Sequence, residues 1–276
     1  MKTRAFLIPL ITLIVLSLFL AAGCAKGSEK PRTPPANTAD PGAKPDDTQQ
    51  DASLTAPRTP GAHQTDDVGP EKEDDVIRLR PVDQSGKNPS FKAFRDKLLD
   101  AIARRDKDFI LEIIHPDITV SFGGESGRDA FIKHWNLDEE NSSLWDELGD
   151  ILRLGGTFSA DMKTFTAPYV FTLFPSQFDE FQYAAVTGDG VNIRAKPGLD
   201  APVLGSVSYE IVRADPALVG PTITLDGREY GWVKVETLSG VKGYISAKYV
   251  RSPIAYRVSF EQVGDKWLMK YLVQGD

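Results

Sequence analysis

The 276-residue sequence predicts an α+β domain joined to a small all-β domain, both preceded by an apolar leader and a disordered linker. Three observations support this fold class. The first 80 residues contain an apolar run and then a proline-rich stretch, neither of which has the periodicity of a packed domain. Between residues 90 and 155 apolar residues recur at helical spacing. From residue 183 onward they alternate with polar residues, as in half-buried strands.

Composition and charge narrow the class of protein. The chain is 41% apolar and 26% charged, which is ordinary for a globular protein. Its net charge of −7 argues against nucleic acid as a partner and against docking on acidic lipids, because both need a basic surface. The single cysteine, Cys24, excludes an internal disulfide framework and a cysteine-rich zinc site.

The start of the chain carries a targeting signal. Lys2 and Arg4 precede a run of mostly apolar residues, which ends in the sequence Leu-Ala-Ala-Gly-Cys at residues 20–24. This ending resembles the lipobox of bacterial lipoproteins, although that family usually has leucine where this chain has Ala21. The resemblance implies that residues 1–23 are a signal peptide and that Cys24 is lipidated. Two alternatives are an uncleaved membrane anchor and an ordinary secretory signal with an incidental cysteine.

The sequence after Cys24 indicates a cellular location and a flexible linker. Residue 25 is alanine rather than aspartate, which by resemblance to Gram-negative sorting implies the outer membrane, facing the periplasm. Residues 24–80 are rich in proline, threonine and aspartate and have few large apolar side chains, so we expect a disordered linker. About fifty such residues span roughly 40 Å, a reach that suits a domain held between the membrane and the cell wall.

Residues 86–180 predict the α+β domain. Phe91, Phe94, Leu98 and Ile102 share one helical face, and Ser90 is a suitable cap for that helix. A second helix, a strand, a glycine-rich loop and a short helix follow in that order. This order resembles the cone-shaped α+β fold of nuclear-transport-factor-like and ketosteroid-isomerase-like domains. The strand pattern at residues 164–174 is interrupted by a proline.

Residues 183–251 predict the all-β domain. Val191 and Ile193 alternate with polar residues before a Pro-Gly turn, and a matching alternation runs from Gly240 to Val250. The two segments resemble the opening and closing phrases of the bacterial SH3-like (SH3b) family, which implies an SH3-like barrel. Between them, Asp226-Gly227 predicts a hairpin turn. The connection at residues 213–229 is longer than is usual for the family and could reshape a groove.

The last residues, 254–276, predict a β-hairpin around Gly264-Asp265. Its strands resemble the final pair of the cone-shaped fold, so the hairpin could complete the α+β domain. The alternative is that it packs on the barrel.

No catalytic site, metal site or cofactor is predicted. The three histidines, His63, His115 and His134, lack the spacing of a zinc motif, and no nucleophile motif is present. One enzymatic alternative remains, in which His134 acts as an acid or base in a cone-shaped pocket with Asp117, Glu125 or Asp129.

The resemblance to SH3-like modules implies a groove that binds peptides or glycan-linked peptides. The candidate ligand-binding residues are four aromatic side chains and one arginine, namely Arg194, Tyr209, Trp232, Tyr244 and Tyr249. Each could instead have a structural role. The leading hypothesis is a non-catalytic module for peptidoglycan or a periplasmic protein. The alternative is a small-molecule-binding or enzymatic α+β domain, with the barrel as a targeting or scaffold module.

Overall fold

The computed structural model describes residues 69–73 and 76–275. The predicted signal peptide, Cys24 and most of the predicted linker therefore lie outside the described residues. Within the described part, no helix combines the length and the apolar character needed to cross a membrane.

The described chain contains helices and strands, as the predicted fold class requires. The helices are α1 (Pro89–Arg104), α2 (Lys107–Ile113), α3 (Arg128–His134), α4 (Leu144–Arg153) and α5 (Tyr169–Leu173). The strands are β1 (Glu71–Glu73), β2 (Val76–Arg78), β3 (Ile114–Thr119), β4 (Thr157–Phe158), β5 (Thr164–Ala167), β6 (Tyr183–Val186), β7 (Val191–Arg194), β8 (Val203–Val207), β9 (Ile211–Leu225), β10 (Arg228–Thr237), β11 (Lys242–Ser246), β12 (Val250–Arg251), β13 (Arg257–Val263) and β14 (Lys266–Val273).

The α+β region is built on a five-stranded sheet in the order β3-β14-β13-β5-β4. The terminal hairpin, β13 and β14, forms the middle of this sheet, because β13 pairs with β5 and β14 pairs in parallel with β3. The chain therefore leaves the α+β region after α5, forms the barrel, and returns to complete the first sheet. The hairpin does not pair with the barrel strands in the described structure.

Two local predictions in this region need correction. Asn88, not Ser90, caps α1, because its side chain accepts the backbone N–H groups of Ser90 and Phe91. The Ser90 hydroxyl instead accepts the indole N–H of Trp267 at 3.1 Å. The strand predicted over residues 164–174 ends at Ala167, because Pro168 has no backbone N–H to continue the ladder, and the residues after Pro168 form α5.

Aromatic side chains fill the interior of the α+β region. The ring of Phe91 is completely buried, and its centroid lies 4.2 Å from that of Phe165 and 4.9 Å from that of Trp267. The rings of Phe158 and Phe260 lie within 6 Å of it as well. These contacts join α1 to both halves of the sheet, including the returning hairpin.

The barrel is a seven-stranded sheet in the order β12-β6-β9-β10-β11-β7-β8, with antiparallel pairing throughout. Its fully enclosed core is aliphatic and β-branched, as expected for pleated strands. The buried members of this core are Val186, Val191, Ile193, Val207, Val212, Val233, Val235 and Ile245.

The barrel and the α+β region meet at α4 and at a third apolar cluster. Arg228 of β10 donates to Asp150 of α4 at 2.8 Å, and Arg251 of β12 donates to Glu147 of α4 at 2.9 Å. The apolar cluster is shared by the segment before α1, by α5 and by the barrel, and consists of Leu79, Val82, Tyr169, Val170, Ala185 and Ile211.

The end of the predicted linker also needs correction. Residues 76–80 lie against the barrel, where the backbone N–H of Leu79 donates to the carbonyl oxygen of Tyr209 at 2.7 Å. The Leu79 side chain is 1% exposed. Val76, Ile77 and Leu79 form a short apolar group directly after an acidic stretch, which is a weak local signal, and partners distant in sequence bury Leu79.

Candidate ligand-binding groove on the barrel

A row of three side chains crosses the outer face of the barrel. Lys234 of β10 is directly opposite Tyr244 of β11, which in turn is opposite Arg194 of β7. Directly paired residues of neighbouring strands share a face. The alternate residues of these strands, such as Val233 and Ile245, belong to the core, so this row points outward.

A second row runs beside the first. Arg213 of β9 is opposite Glu236 of β10, which is opposite Lys242 of β11. Lys242 Nζ lies 3.4 Å from Glu236 Oε1. Arg213 donates to the side-chain oxygen of Gln182 at 2.9 Å. The two rows together place cations on four neighbouring strands, β9, β10, β11 and β7.

A groove of about 380 Å³ opens over part of this face. Its lining includes the cations Arg213, Lys234 and Lys242 and the carboxylates of Asp215 and Glu236. The segment before β6 closes one side with the ring of Phe181, which is 63% exposed. The groove therefore combines an excess of positive charge with an accessible aromatic surface.

An irregularity in β9 creates the space above Lys234. Val233 pairs with Leu218 and Val235 pairs with Ala214, so residues 215–217 all stand opposite Lys234. Such a bulge interrupts the ladder and re-aims nearby side chains. Asp215 stabilises the bulge by accepting the backbone N–H of Ala217 at 3.0 Å. The bulge lies within the long connection that the sequence marks at residues 213–229.

A glycine brings two of these strands close together. A Cβ atom at Gly243 would lie 2.5 Å from Cγ2 of Ile193 and 2.6 Å from the carbonyl oxygen of Arg194. A side chain cannot occupy that position without displacing β7. Gly243 thus allows the contact that sets Tyr244 beside Arg194.

The structure brings together two of the five predicted ligand residues. Arg194 and Tyr244 are half-buried cross-strand neighbours on the outer face. Arg194 also donates to the carbonyl oxygen of Ala201 at 2.8 Å, so it holds the loop between β7 and β8. Arg194 therefore has a structural role, which the sequence analysis gave as an alternative to ligand binding.

The other three predicted residues lie elsewhere. Trp232 is 2% exposed, so its ring is not part of an open surface. Tyr209 is 9% exposed and has a left-handed backbone, with φ of 58°, and its N–H donates to the carbonyl oxygen of Gly188. Tyr249 is half-buried against the barrel core and lies near the same glycine. The five residues therefore do not form one cluster.

None of the five predicted ligand residues lines the groove. Sequence reasoning missed its one aromatic and five charged side chains: Phe181, Arg213, Asp215, Lys234, Glu236 and Lys242. The alternation of β10 and β11 does place Lys234 and Lys242 on the outer face. It does not show that β9 bulges beside them or that Phe181 flanks them, because both are long-range features. The unusual length of residues 213–229 was the one available signal.

The acid–base residues of the enzymatic alternative do not converge on His134. This histidine is exposed at the end of α3, and its Nε2 lies 3.1 Å from the hydroxyl oxygen of Tyr256. In the described structure no hydrogen bond or ion pair joins it to Asp117, Glu125 or Asp129. Across residues 69–73 and 76–275, no group of three or more metal-ligating side chains is placed to hold an ion.

Comparison with known proteins identifies the barrel. Residues 189–251 match the family model of the bacterial SH3 domain, which spans β7 to β12. Neither a curated protein nor a solved structure matches the chain. The match confirms the resemblance drawn from the strand phrases at residues 191–197 and 240–250. It covers the segment that carries Arg194, Lys234 and Tyr244, so this chain contains a bacterial SH3 domain. Most residues that line the candidate groove lie in the matched segment, whereas Phe181 and Gln182 precede it.

Proposed function

We propose that this chain is a lipoprotein of the outer membrane, facing the periplasm, whose bacterial SH3 domain binds peptidoglycan without catalysis. The observation that carries the proposal is the groove on the outer face of that domain, with its cations and its exposed Phe181. The α+β region would serve as the platform to which α4 fixes the domain.

The chemistry of the groove suits a peptide that bears carboxylates. Lysine and arginine side chains form charge-assisted hydrogen bonds with carboxylates, and an aromatic ring supplies apolar contact with a polar edge. The stem peptides of peptidoglycan carry free carboxylates. The chain as a whole has a net charge of −7, so the excess of cations in the groove is a local feature and not a general property of the surface.

The leader and the linker would determine where in the cell the folded part is held. Lipidation of Cys24 would anchor the chain, because each buried methylene of an acyl chain contributes about 0.8 kcal/mol. A linker of about fifty residues would let the folded part reach the cell wall while the anchor stays in the membrane.

The binding proposal is tested by co-sedimentation of residues 25–276 with purified sacculi. Lys234→Ala and Phe181→Ala change side chains that line the groove, and Lys97→Ala on the exposed side of α1 is the matched control for loss of a lysine. We expect saturable binding that both groove variants weaken and the control does not. Arg194→Ala is unsuitable, because Arg194 also holds the β7–β8 loop. Absence of binding by the unmodified chain would overturn the proposal and direct the search to a periplasmic protein.

The anchoring proposal is tested separately in cells. Metabolic labelling with a radioactive fatty acid should label the full chain and not the Cys24→Ser variant. Density-gradient fractionation should place the labelled protein with the outer membrane. Labelled protein in the inner-membrane fraction would contradict the proposed address, and unlabelled protein would contradict lipidation.

A further inference from the structure

We propose that the groove recognises an amino-carboxylate group, an ammonium and a carboxylate on one carbon, carried by a peptide that has at least one further carboxylate. The inference rests on the proposed function for the source of the peptide, since the stem peptides of many cell walls contain such a group on a diamino acid. Recognition of this charge pattern by the groove does not depend on how the chain is anchored.

The charges in the groove are mixed but unequal. Three cations, Arg213, Lys234 and Lys242, face two carboxylates, Asp215 and Glu236. The groove therefore has one positive charge in excess. A ligand of complementary charge has one more carboxylate than it has ammonium groups. A purely anionic ligand would place negative charge beside the carboxylates of Asp215 and Glu236 and would offer them no donor.

Two of the cations are available for carboxylates. Lys234 makes no ion pair in the described structure and is exposed beneath the β9 bulge. Arg213 donates to a neutral partner, Gln182, through one Nη nitrogen. A guanidinium has five N–H donors, so the others remain for a ligand. Lys234 and Arg213 lie diagonally across β9 and β10, a spacing that suits two separate carboxylates.

The two carboxylates can accept an ammonium. Asp215 uses one oxygen, Oδ1, to accept the backbone N–H of Ala217, and a carboxylate has a second oxygen free for another donor. Glu236 lies 3.4 Å from Lys242, which is long for a charge-assisted hydrogen bond. A ligand ammonium between Asp215 and Glu236 would therefore gain two acceptors.

Apolar contacts favour a peptide over a free amino acid. Phe181 is 63% exposed at one wall, and Pro216 lines the groove on the bulge. The rest of a stem peptide would cover these surfaces, while a free diamino acid would leave them in water.

Three synthetic peptides of one sequence test the inference by calorimetry with residues 25–276. The first is the tripeptide L-alanyl-γ-D-glutamyl-meso-diaminopimelate. The second carries the distal carboxylate as an amide, and the third carries the distal amine as an acetamide. We expect each modification to weaken binding about tenfold or more, because it removes a charged partner. Free diaminopimelate, as a fourth probe, should bind more weakly than the first peptide.

Matched variants assign each effect to its side chain. Lys234→Met should remove the difference between the first peptide and its amide. Asp215→Asn should remove the difference between the first peptide and its acetamide, while an amide oxygen still accepts the Ala217 N–H. Lys97→Met should change neither difference. Unchanged circular dichroism and melting temperature would show that each variant is folded.

The outcomes separate this inference from the proposed function. If sacculi bind but all three peptides bind equally, amino-carboxylate recognition is wrong while wall binding stands. If the peptides show the expected differences but sacculi do not bind, the groove assignment stands and the proposed wall function fails. If wild type and Lys234→Met respond alike to amidation, Lys234 does not hold the carboxylate and the inference is overturned.

Discussion

The two folded regions of this chain differ in how their cores use aromatic side chains. In the α+β region the rings are inside, where Phe91 is enclosed by Phe158, Phe165, Phe260 and Trp267. In the barrel the enclosed core is aliphatic. Trp232 and Tyr209 are buried outside that core, while Tyr244 and the neighbouring Phe181 have exposed surface.

This difference indicates that the α+β region provides stability and that the barrel provides a binding surface. Aromatic burial contributes strongly to stability, so the α+β region suits a rigid platform. A barrel core of valine and isoleucine is smaller, and it leaves the outer face of the same strands free for charged and aromatic side chains. The bulge in β9 then shapes that face into a groove.

The largest effect should come from removing the central ring of the platform. Phe91→Ala should lower the free energy of unfolding by about 3–5 kcal/mol, because it leaves a cavity that neighbouring rings fill only in part. The same substitution at Phe181, which is 63% exposed, should change stability by less than about 0.5 kcal/mol. Urea denaturation followed by tryptophan fluorescence measures both. Equal losses at the two positions would contradict the division between platform and binding face.

The next largest effect should come from the close approach of β11 and β7. Gly243→Ala should destabilise the barrel by about 1–3 kcal/mol, because its Cβ would overlap Ile193 and the Arg194 carbonyl. Gly205→Ala on β8 is the matched control, since a Cβ there meets no atom within 4 Å. Thermal unfolding of both variants measures the difference. If Gly243→Ala were as stable as the control, the strands would have room to separate and the Arg194–Tyr244 pairing would be adjustable.

Short-range patterns predicted the framework of the barrel. The alternation at Val191 and Ile193 predicts β7, and Asp226-Gly227 forms the turn between β9 and β10 with φ values of 51° and 76°. Both features depend on neighbouring residues and on turn chemistry, which the sequence displays directly.

Placement of the candidate site could be predicted only in part. Trp232 has the same parity as Lys234, so its pattern indicates the outer face, yet it is 2% exposed. Tyr209 has the same parity as Val207 and Ile211, which is typical of one strand face, but its φ of 58° breaks that alternation. Burial of Trp232 and exposure of Phe181 both depend on segments far away in the sequence, which periodicity does not report.

A smaller effect should come from the contact between the two regions. Glu147 of α4 accepts from Arg251 of β12 at 2.9 Å, with side-chain exposures of 27% and 16%. A double-mutant cycle of Glu147→Gln and Arg251→Met should give a coupling of about 1 kcal/mol, between the values of exposed and buried pairs. Lys92 and Asp96, an exposed pair within α1, provide the control cycle and should couple by about 0.3–0.5 kcal/mol. A coupling at Glu147–Arg251 no larger than the control would mean that the apolar cluster alone joins the regions.

An effect of similar size at neutral pH should come from Tyr169, which lies in the apolar cluster between the regions. Its hydroxyl donates to the carbonyl oxygen of Leu79 at 3.3 Å, so Tyr169→Phe should cost about 0.5–1.5 kcal/mol at pH 7. Burial raises the pKa of Tyr169 above its ordinary value of about 10, and the nearby Tyr209 raises the pKa further. Below about pH 10 the folded and unfolded states both keep this proton, and the stabilisation is fully present.

As the pH rises above about 10, the unfolded state releases the Tyr169 proton and the folded state retains it, so the free energy of unfolding falls. Tyr169→Phe removes this titration, and its stability should therefore decline less steeply between about pH 9 and 11 than that of the wild type. Urea denaturation at several pH values measures the two slopes, with Tyr244→Phe on the half-exposed barrel surface as the comparison. Parallel slopes for wild type and Tyr169→Phe would mean that water reaches this cluster, and that the two regions are joined less tightly than the buried ring indicates.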